Sequence, residues 1–295
     1  MKLARFSEDG KESYGTQIDE NQILDLPALS QLLRQASPSS LETLVLSGEK
    51  GQRSIENLIK EVPDNDKTKA TLSMKKTRLL PPIINPPKII CLGLNYRDHV
   101  AEQNAATPDD LVLFMKPRTA IIGPDDTIIK PPFVTKLDYE AELAVVIGKK
   151  AKNIGTEEAK QHIFGYTCFN DVSARDIQFK DKQWTRGKSF DTFAPIGPCI
   201  TTRDQIGDPT NLRIGTRVNG TTRQDSTTRN MIFNVYDIVH KLSQVMTLEP
   251  CDIIATGTPS GVGFAMKPEP KYLNLGDEVE IEIQNIGQLR NKVGQ

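Results

Sequence analysis

Acidic and apolar residues alternate in the stretch Leu-Asp-Tyr-Glu-Ala-Glu-Leu-Ala-Val-Val-Ile-Gly, which begins at Leu137. If this stretch is a β-strand, its two-residue period places Asp138, Glu140 and Glu142 on one face, about 6.6 Å apart. Two glutamates at that spacing can converge on one divalent cation through oxygen contacts of about 2.0 to 2.6 Å. The alternative is an exposed strand whose acidic face meets water. The stretch continues with the apolar Ala144 on the same face, which indicates a buried region. Unpaired carboxylates are costly beside such a region, so the exposed strand is disfavoured.

A second apolar run ends at Asn170-Asp171, where a polar helical turn begins. Asp171 is therefore either the N-cap of that turn or a third oxygen ligand. Arg175 and Gln178 follow four and seven residues later. On a helix they would point from the same face towards an anionic substrate.

His99 and Glu102 are three residues apart, in a segment that follows the strand-like run from Ile89 to Leu92. On a helical turn the two side chains are neighbours, which suits a carboxylate that orients an imidazole base. The alternative is a solvated surface pair.

Three further side chains could complete a pocket, namely those of Lys116, Lys188 and Thr258. Thr258 belongs to the glycine-rich stretch Thr-Gly-Thr-Pro-Ser-Gly-Val-Gly, whose backbone amides, that of Gly257 among them, could hold a carboxylate or an oxyanion. The stretch lacks the lysine of a phosphate-binding loop and the G-x-G-x-x-G pattern, which disfavours nucleotide binding. The chain has no G-x-S-x-G either, which disfavours a serine hydrolase.

Short β-rich runs separated by Gly and Pro dominate the chain after Lys88, and helical spacing appears only in short pieces. Before that point, strand-like runs give way to helical spacing, and then to a polar, Lys-rich and Pro-rich segment from 63 to 87. The pattern predicts a β-dominated α+β protein with a small α+β N-terminal domain at 1–75 and a larger domain at 76–295.

The composition excludes several classes of partner. The 295 residues include 37 Lys+Arg and 38 Asp+Glu, so the net charge of -1 argues against bulk binding to nucleic acid or an anionic membrane. The apolar runs are too short to span a bilayer and the first residues lack a secretory signal, so we expect a soluble cytoplasmic protein. The four cysteines are widely scattered, which predicts buried free thiols.

Five motifs, in order, resemble those of the fumarylacetoacetate hydrolase family. They are Gly-Leu-Asn-Tyr-Arg-Asp-His with Glu102 following, the acidic stretch from Leu137, Gly-Tyr-Thr-Cys-Phe-Asn-Asp-Val-Ser-Ala-Arg-Asp, Gly-Lys-Ser-Phe-Asp-Thr-Phe-Ala-Pro-Ile-Gly-Pro, and Thr-Gly-Thr-Pro-Ser-Gly-Val-Gly. The likeness covers about two thirds of the chain, from near Ile89 to the C-terminus. It implies a distorted mixed β-roll that is usually homodimeric.

The resemblance also implies roles for single residues. Glu140, Glu142 and Asp171 fall on the family's metal positions, where the ion is usually Mg²⁺, with Mn²⁺ or Ca²⁺ as alternatives. His99 with Glu102 falls on the catalytic pair and Lys188 on the active-site lysine. Arg175, Gln178 and Thr258 match positions that contact substrate, and we add Lys116 and Gly257 to that group.

The chain departs from the large eukaryotic members, which carry a further Asp ligand upstream of the catalytic His. Asn95 and Tyr96 stand near that position here. Three protein carboxylates would then remain, with water and substrate completing the metal shell. Smaller acylpyruvate-type or sugar-derived dioxo acids are therefore expected in place of fumarylacetoacetate.

The leading hypothesis is metal-dependent hydrolysis of a carbon-carbon bond in a 2,4-dioxo acid, through a metal-stabilised enolate. His99 would activate the water and Lys188 would stabilise the oxyanion. The alternatives on the same site are oxaloacetate decarboxylation and enol-keto isomerisation of a 2-hydroxydienoate. A binding module without turnover is disfavoured, because a binder needs no general base. Specificity is expected from two loops that contain Gln103, Asn104, Lys182, Gln183, Trp184 and Arg186.

Overall fold

Five strands and four helices form the N-terminal segment of the computed structural model, which describes residues 1–181 and 183–295. Asp9-Gly10 joins the first two strands, and Gly10 has the positive φ of 80° that glycine adopts without steric cost. The helical spacing expected before residue 63 is confirmed, and Leu29 and Ile55 are buried in two of the helices. The elements are β1 (Lys2–Glu8), β2 (Lys11–Gln17), β3 (Gln22–Asp25), α1 (Leu26–Leu32), α2 (Leu41–Leu46), α3 (Gly48–Glu61), α4 (Asp64–Lys69), β4 (Thr71–Ser73) and β5 (Arg78–Leu80).

The rest of the chain is richer in strands, as predicted. Its Asn219-Gly220 turn joins two strands of a hairpin, and both turn residues have positive φ. The elements are β6 (Ile89–Gly93), α5 (Arg97–Glu102), β7 (Val112–Lys116), β8 (Ile121–Ile122), β9 (Thr127–Ile129), β10 (Leu137–Asp138), β11 (Ala141–Ile147), α6 (Ala159–His162), β12 (Ile163–Asn170), β13 (Ser173–Ala174), α7 (Arg175–Gln178), α8 (Thr185–Lys188), β14 (Ala194–Thr202), α9 (Arg203–Ile206), β15 (Arg213–Val218), β16 (Thr221–Thr227), α10 (Val235–Val245), β17 (Ile253–Ala255), β18 (Glu278–Ile283) and β19 (Gly287–Gly294).

Twelve of the described strands form one large mixed sheet in the order β4-β3-β2-β1-β14-β12-β11-β17-β6-β7, with β5 beside β1 and β8 beside β14. The pairs β17–β6 and β14–β8 are parallel. Because β1 pairs with β14, with Lys2 opposite Thr201, the N-terminal strands extend this same sheet. The domain boundary placed near residue 75 stays a prediction.

A second sheet, β16-β15-β18-β19-β9, packs on one face of the large sheet, and the N-terminal helices cover the other. β11 lies between these layers. Leu143 and Val145 join the buried cluster that includes Ile281 of the second sheet, whereas Val146 joins the cluster that includes Leu44 of α2. The predicted β-dominated mixed roll is confirmed.

β11 is buried along its whole length, so the exposed acidic strand considered as an alternative is wrong. The expectation of a single strand from Leu137 to Ile147 is also wrong, because Tyr139 and Glu140 interrupt the strand. Leu137-Asp138 pairs with β13, whereas Ala141 pairs with Asn170 at the end of β12. Asp138 is therefore not part of the group formed by Glu140, Glu142 and Asp171, although it shares Arg175 with Glu140.

Two further sequence predictions concern the chain as a whole. The four cysteines, all in the described part of the chain, are buried free thiols as expected. None of the described helices combines the length and the apolar character that crossing a membrane requires.

Candidate active site

Four segments of the chain meet at one edge of the large sheet. The start of β11 lies opposite the end of β12, since Ala141 pairs with Asn170. β17 runs antiparallel to β11 and parallel to β6, so β17 and β6 both end at this edge. The segments that follow them carry Thr258 and His99. The fold thereby brings together the predicted residues that are distant in sequence.

Glu140, Glu142 and Asp171 form a buried acidic triad. One carboxylate oxygen of each lies within 4.8 Å of the others. Oxygen atoms that share one divalent cation at about 2.0 to 2.6 Å are separated by distances of this order. Glu142 Oε1 accepts no hydrogen bond from any residue that the structure describes, and a buried oxygen without a donor is costly. The triad therefore fits a divalent cation in both chemistry and spacing.

Asp171 is not the N-cap of the helix that follows it, so that alternative is wrong. α7 begins at Arg175 and its N-cap residue is Ala174. The Asp171 carboxylate faces two lysines instead. Lys188 Nζ donates a hydrogen bond to Oδ2 at 2.7 Å, and Lys116 Nζ lies 2.6 Å from Oδ1 in an ion pair without hydrogen-bond geometry.

Charge is distributed unevenly over the triad. Lys188 Nζ also donates to Glu140 Oε2 at 2.8 Å. Burial tends to raise the pKa of Glu140, but the charges of Lys188 and Arg175 outweigh it and hold that pKa at about 2. Burial, followed by the charges of Asp171 and Glu140, raises the pKa of Glu142 well above its usual value. Ionisation of Glu142 is therefore the least favourable of the triad in the absence of a cation, and a divalent cation bound there would compensate the charge that ionisation creates.

Arg175 is held by three buried polar partners and by one aromatic ring. Its Nε donates to Asp138 Oδ2 at 2.9 Å, and its Nη1 donates to Gln178 Oε1 at 2.9 Å. Its Nη2 lies 2.7 Å from Glu140 Oε1, and its guanidinium carbon lies 4.5 Å from the centre of the Phe264 ring. Arg175 thus orients a glutamate of the acidic triad as well as lining the cavity.

His99 and Glu102 form a largely buried pair, so the solvated surface pair is wrong. His99 is 5% exposed, and its Nδ1 lies 2.6 Å from Glu102 Oε1. The other oxygen of Glu102 accepts a hydrogen bond from the Gly261 amide at 2.9 Å. Gln103 Nε2 lies 2.8 Å from His99 Nε2. An amide that donates to Nε2 leaves the ring proton on Nδ1, towards Glu102, which is the form of histidine that acts as a base.

The remaining predicted residues surround this centre at different depths. Lys116 is buried behind Asp171, where Nζ donates to the carbonyls of Val172, Lys188 and Phe193, and it does not line the cavity. The Gly257 amide donates to Glu142 Oε2 at 2.8 Å. Thr258 and Gln178 line the cavity. Asn95 uses its side-chain amide on backbone groups, with Nδ2 donating to the carbonyls of Phe233 and Thr256.

A cavity of about 120 Å³ opens between these groups. Its polar side consists of Glu140, Arg175, Lys188, His99, Gln103, Gln178 and Thr258, and its apolar side consists of Leu92, Leu94, Phe114, Phe179, Trp184 and Phe264. The Trp184 ring stacks edge-on against Phe114, with 5.9 Å between centroids. The ring also packs directly on Gly93. Any other residue at position 93 would clash with it, because an added Cβ would come within 2.0 Å of the indole.

The residues expected from the two specificity loops divide into three groups. Gln103 and Trp184 line the cavity. Asn104, Gln183 and Arg186 are exposed, and Arg186 pairs with Asp181. Lys182 lies outside the described residues.

A larger groove of about 690 Å³ crosses the second sheet, but it is lined by none of the predicted site residues.

Two residues of the site were missed as functional candidates. Asp138 accepts four hydrogen bonds, from Tyr139 N, Gly263 N, Phe264 N and Arg175 Nε. It fixes Arg175 relative to the loop of Phe264. The alternation of the acidic stretch drew attention to Asp138, but no pattern in the sequence indicates Phe264, which follows the glycine-rich stretch.

Comparison with known proteins identifies the family. Residues 88–294 match the family model described as Fumarylacetoacetate (FAA) hydrolase C-terminal. The chain is 42% identical over 298 residues to a mitochondrial oxaloacetate tautomerase (fahd2) of Xenopus laevis, covering 99% of this chain and 90% of that protein.

Solved structures also match over the whole chain. The fumarylacetoacetate hydrolase of Exiguobacterium antarcticum is 38% identical, with a TM-score of 0.84 and coverage of 100% of this chain and 99% of that chain. The maleylpyruvate hydrolase of Sphingobium sp. SYK-6, in complex with manganese (II) ion and pyruvate, is 31% identical, with a TM-score of 0.80 and full coverage of both chains. The protein therefore belongs to the fumarylacetoacetate hydrolase family, whose members are enzymes that act on small organic acids.

Proposed function

We propose that this protein is a divalent-metal-dependent enzyme that moves a proton at the carbon beside the keto group of a small 2-oxo acid. Its reaction would be the keto-enol tautomerisation of oxaloacetate or a close analogue. One observation carries the proposal: His99, which is paired with Glu102, and Glu140, which belongs to the buried acidic triad, line the same small cavity. The tautomerase of Xenopus laevis, similar over nearly the whole chain, supports the choice of reaction.

Glu140, Glu142 and Asp171 would hold the cation, which we propose to be Mg²⁺, with Mn²⁺ or Ca²⁺ as alternatives. A divalent ion bound there would polarise the keto group and stabilise the negative charge that develops on its oxygen. The cation would stabilise the ionised form of Glu142 most, because one Glu142 oxygen has no donor among the described residues and Asp171 and Glu140 repel its charge.

His99 would act as the base. Its Nε2 lone pair accepts a hydrogen bond from Gln103. Once the Gln103 side chain moves away, the lone pair would take a proton from C3 of the substrate. Glu102 would stabilise the imidazolium through Nδ1. Return of the proton to C3 regenerates the keto form, whereas its delivery to the oxygen at C2 gives the enol, so no atom is gained or lost.

Lys188 and Arg175 would bind the substrate's carboxylates, because they are the cations among the described residues of the cavity wall. Gln178 and Thr258 would complete the polar contacts. Lys116 would act indirectly, since its ammonium holds Asp171 and the carbonyl of Lys188. The volume of about 120 Å³ lies well below the roughly 300 to 1,000 Å³ of sites for drug-sized ligands. It therefore favours a small acid.

Hydrolysis of acylpyruvates is the second candidate, and the apolar side of the cavity favours it. Phe114, Trp184 and Leu92 offer an acyl chain a surface that oxaloacetate does not need. The maleylpyruvate hydrolase bound to manganese and pyruvate supports this alternative. Decarboxylation of oxaloacetate would use the same ligands and differs in its products.

The test separates these reactions by their products. Purified protein would be incubated with oxaloacetate and with acetylpyruvate, in Mg²⁺, in Mn²⁺ and in EDTA. We expect faster decay of the ultraviolet absorbance of the oxaloacetate enol, dependent on the metal, without release of carbon dioxide. Release of carbon dioxide with pyruvate would instead show decarboxylation, and release of acetate with pyruvate would show hydrolysis. Equal rates in EDTA and in Mg²⁺ would refute metal dependence altogether.

Two further properties remain proposals. We propose a homodimer on the basis of the family resemblance, to be tested by analytical ultracentrifugation. The cytoplasmic location stays a prediction, because the Xenopus laevis relative is described as mitochondrial.

A further inference from the structure

Gln224 makes four hydrogen bonds from a buried position on β16. Its Oε1 accepts from the Ala141 amide at 2.9 Å and from Thr216 Oγ1 at 2.7 Å. Its Nε2 donates to Thr258 Oγ1 and to the carbonyl of Pro259, both at 2.8 Å. The residue is 1% exposed. Both oxygen lone pairs and both amide hydrogens are therefore in use.

These partners connect two segments that hold the same metal-binding residue. Ala141 lies between Glu140 and Glu142 at the start of β11. Thr258 follows Gly257, whose amide donates to Glu142 Oε2 at 2.8 Å. One side chain thus fixes the strand that carries Glu142 and the loop that hydrogen-bonds to it.

The backbone next to Gln224 supports the catalytic pair as well. Gly261 packs so closely on β16 that an added Cβ would come within 2.1 Å of the Arg223 carbonyl oxygen, and its φ is +99°. The Gly261 amide donates to Glu102 Oε2 at 2.9 Å. β16 is therefore the support on which the glycine-rich loop is positioned against the acidic triad.

We propose that Gln224 is a positioning residue that sets the affinity of the acidic triad for a divalent cation. The inference rests on the proposed divalent-ion site. A primary amide is required because the surroundings present two donors and two acceptors. A glutamate could not donate to Thr258 and Pro259, and an apolar residue would leave all four groups unpaired in a buried region.

The test compares two buried amides in the full-length protein. Asn291 on β19 is 2% exposed and donates to the carbonyls of Gly123 and Asp126 at 2.8 and 2.9 Å, away from the triad. Mn²⁺ affinity would be measured for the wild type, Gln224→Ala and Asn291→Ala, from the electron paramagnetic resonance signal of the free ion. Thermal unfolding would be recorded in parallel.

We expect Gln224→Ala to bind Mn²⁺ about 10- to 100-fold more weakly than the wild type, as is typical when a residue supporting a metal ligand is removed. Asn291→Ala should lower the unfolding temperature and change the affinity less than threefold. If Gln224→Ala fails to fold, Gln224→Met retains the length of the side chain and should show the same weakening.

Two results would overturn the proposal. One is a Mn²⁺ affinity of the folded Gln224 variant within threefold of the wild type. The other is equal weakening in the Asn291 variant, which would show that any loss of a buried amide has this effect. Absence of Mn²⁺ binding to the wild type is a different failure, because it removes the proposed metal site itself and the inference with it.

Discussion

Replacing Glu142 by Gln should stabilise the metal-free protein and at the same time abolish binding of the divalent cation. Glu142 is fully buried, and its carboxylate oxygen lies within 4.8 Å of oxygens of Glu140 and Asp171. A glutamine would retain an acceptor for the Gly257 amide, which now donates to Glu142. It would remove the negative charge that Glu142 acquires on ionisation.

The size of the effect follows from these distances. Two unit charges 4.8 Å apart repel each other by about 3.5 kcal/mol at an effective dielectric constant of roughly 20. The nearby ammonium of Lys188 offsets part of this repulsion. We therefore expect the free energy of unfolding to rise by about 1 to 3 kcal/mol. At about 2 °C for each kcal/mol, the unfolding temperature should rise by about 2 to 6 °C.

The stability that Glu142→Gln gains over the wild type should increase with pH. The pKa of Glu142 is raised in the folded protein, by burial first and then by Asp171 and Glu140. The folded state therefore binds the proton more tightly than the unfolded state, and the wild type loses stability as the pH rises above about 4.3, the ordinary pKa of glutamate. The loss stops growing above the folded-state pKa. Because glutamine does not titrate, the advantage of the variant should be absent at low pH and grow as the pH rises.

Scanning calorimetry in EDTA, at pH 5 and at pH 8, would measure this difference. Added Mn²⁺ should stabilise the wild type by about 2.7 kcal/mol at a hundredfold excess over the Kd, and should not stabilise the variant. Glu282→Gln is the matched control, because Glu282 is a half-exposed residue on β18 that pairs with Arg217. It should change stability by no more than about 0.5 kcal/mol. A Glu142 variant that is less stable than the wild type in EDTA at pH 8, or that Mn²⁺ stabilises equally, would refute the reasoning.

Three other substitutions test separate parts of the site. His99→Asn should lower turnover by about 10² to 10⁴ and leave Mn²⁺ affinity unchanged, which steady-state kinetics and a Mn²⁺ titration would check; a large loss of affinity would mean that His99 is a ligand. Asp138→Asn should lower the free energy of unfolding by about 3 kcal/mol in urea titrations, because the buried Arg175 loses a charged partner. Unchanged stability would contradict that account. Trp184→Ala should enlarge the cavity and raise kcat/KM for longer 2-oxo acids relative to shorter ones by about tenfold; an unchanged ratio would show that Trp184 does not limit substrate length.

The sequence indicated the acidic triad correctly because each of its members lies at or next to the end of an apolar strand. The period of β11 is also present in the structure, since Val145 and Val146 belong to different buried clusters. What the period could not indicate is that both faces are covered, because that depends on which layers pack against the sheet. The break at Tyr139 depends likewise on the distant pairing of β10 with β13.

Residues that act through hydrogen bonds across the fold were the hardest to predict. Gln224 is one polar residue in a strand, and two of its partners, Ala141 and Thr258, are 83 and 34 residues away. Lys116 was expected at the substrate, whereas the structure places its ammonium among three backbone carbonyls behind Asp171. A spacing rule describes neighbours along one element. It does not specify which buried acceptors a long side chain reaches.

Trp184 is the single tryptophan of the chain, and it lies in the wall of the cavity against Phe114. The intrinsic fluorescence of the protein therefore originates, at tryptophan wavelengths, from one ring beside the proposed substrate. Any acid that enters the cavity would change the polarity around that ring and shift or quench its emission. The protein thus carries its own optical probe, with which occupancy of the cavity can be titrated separately from turnover and without a label.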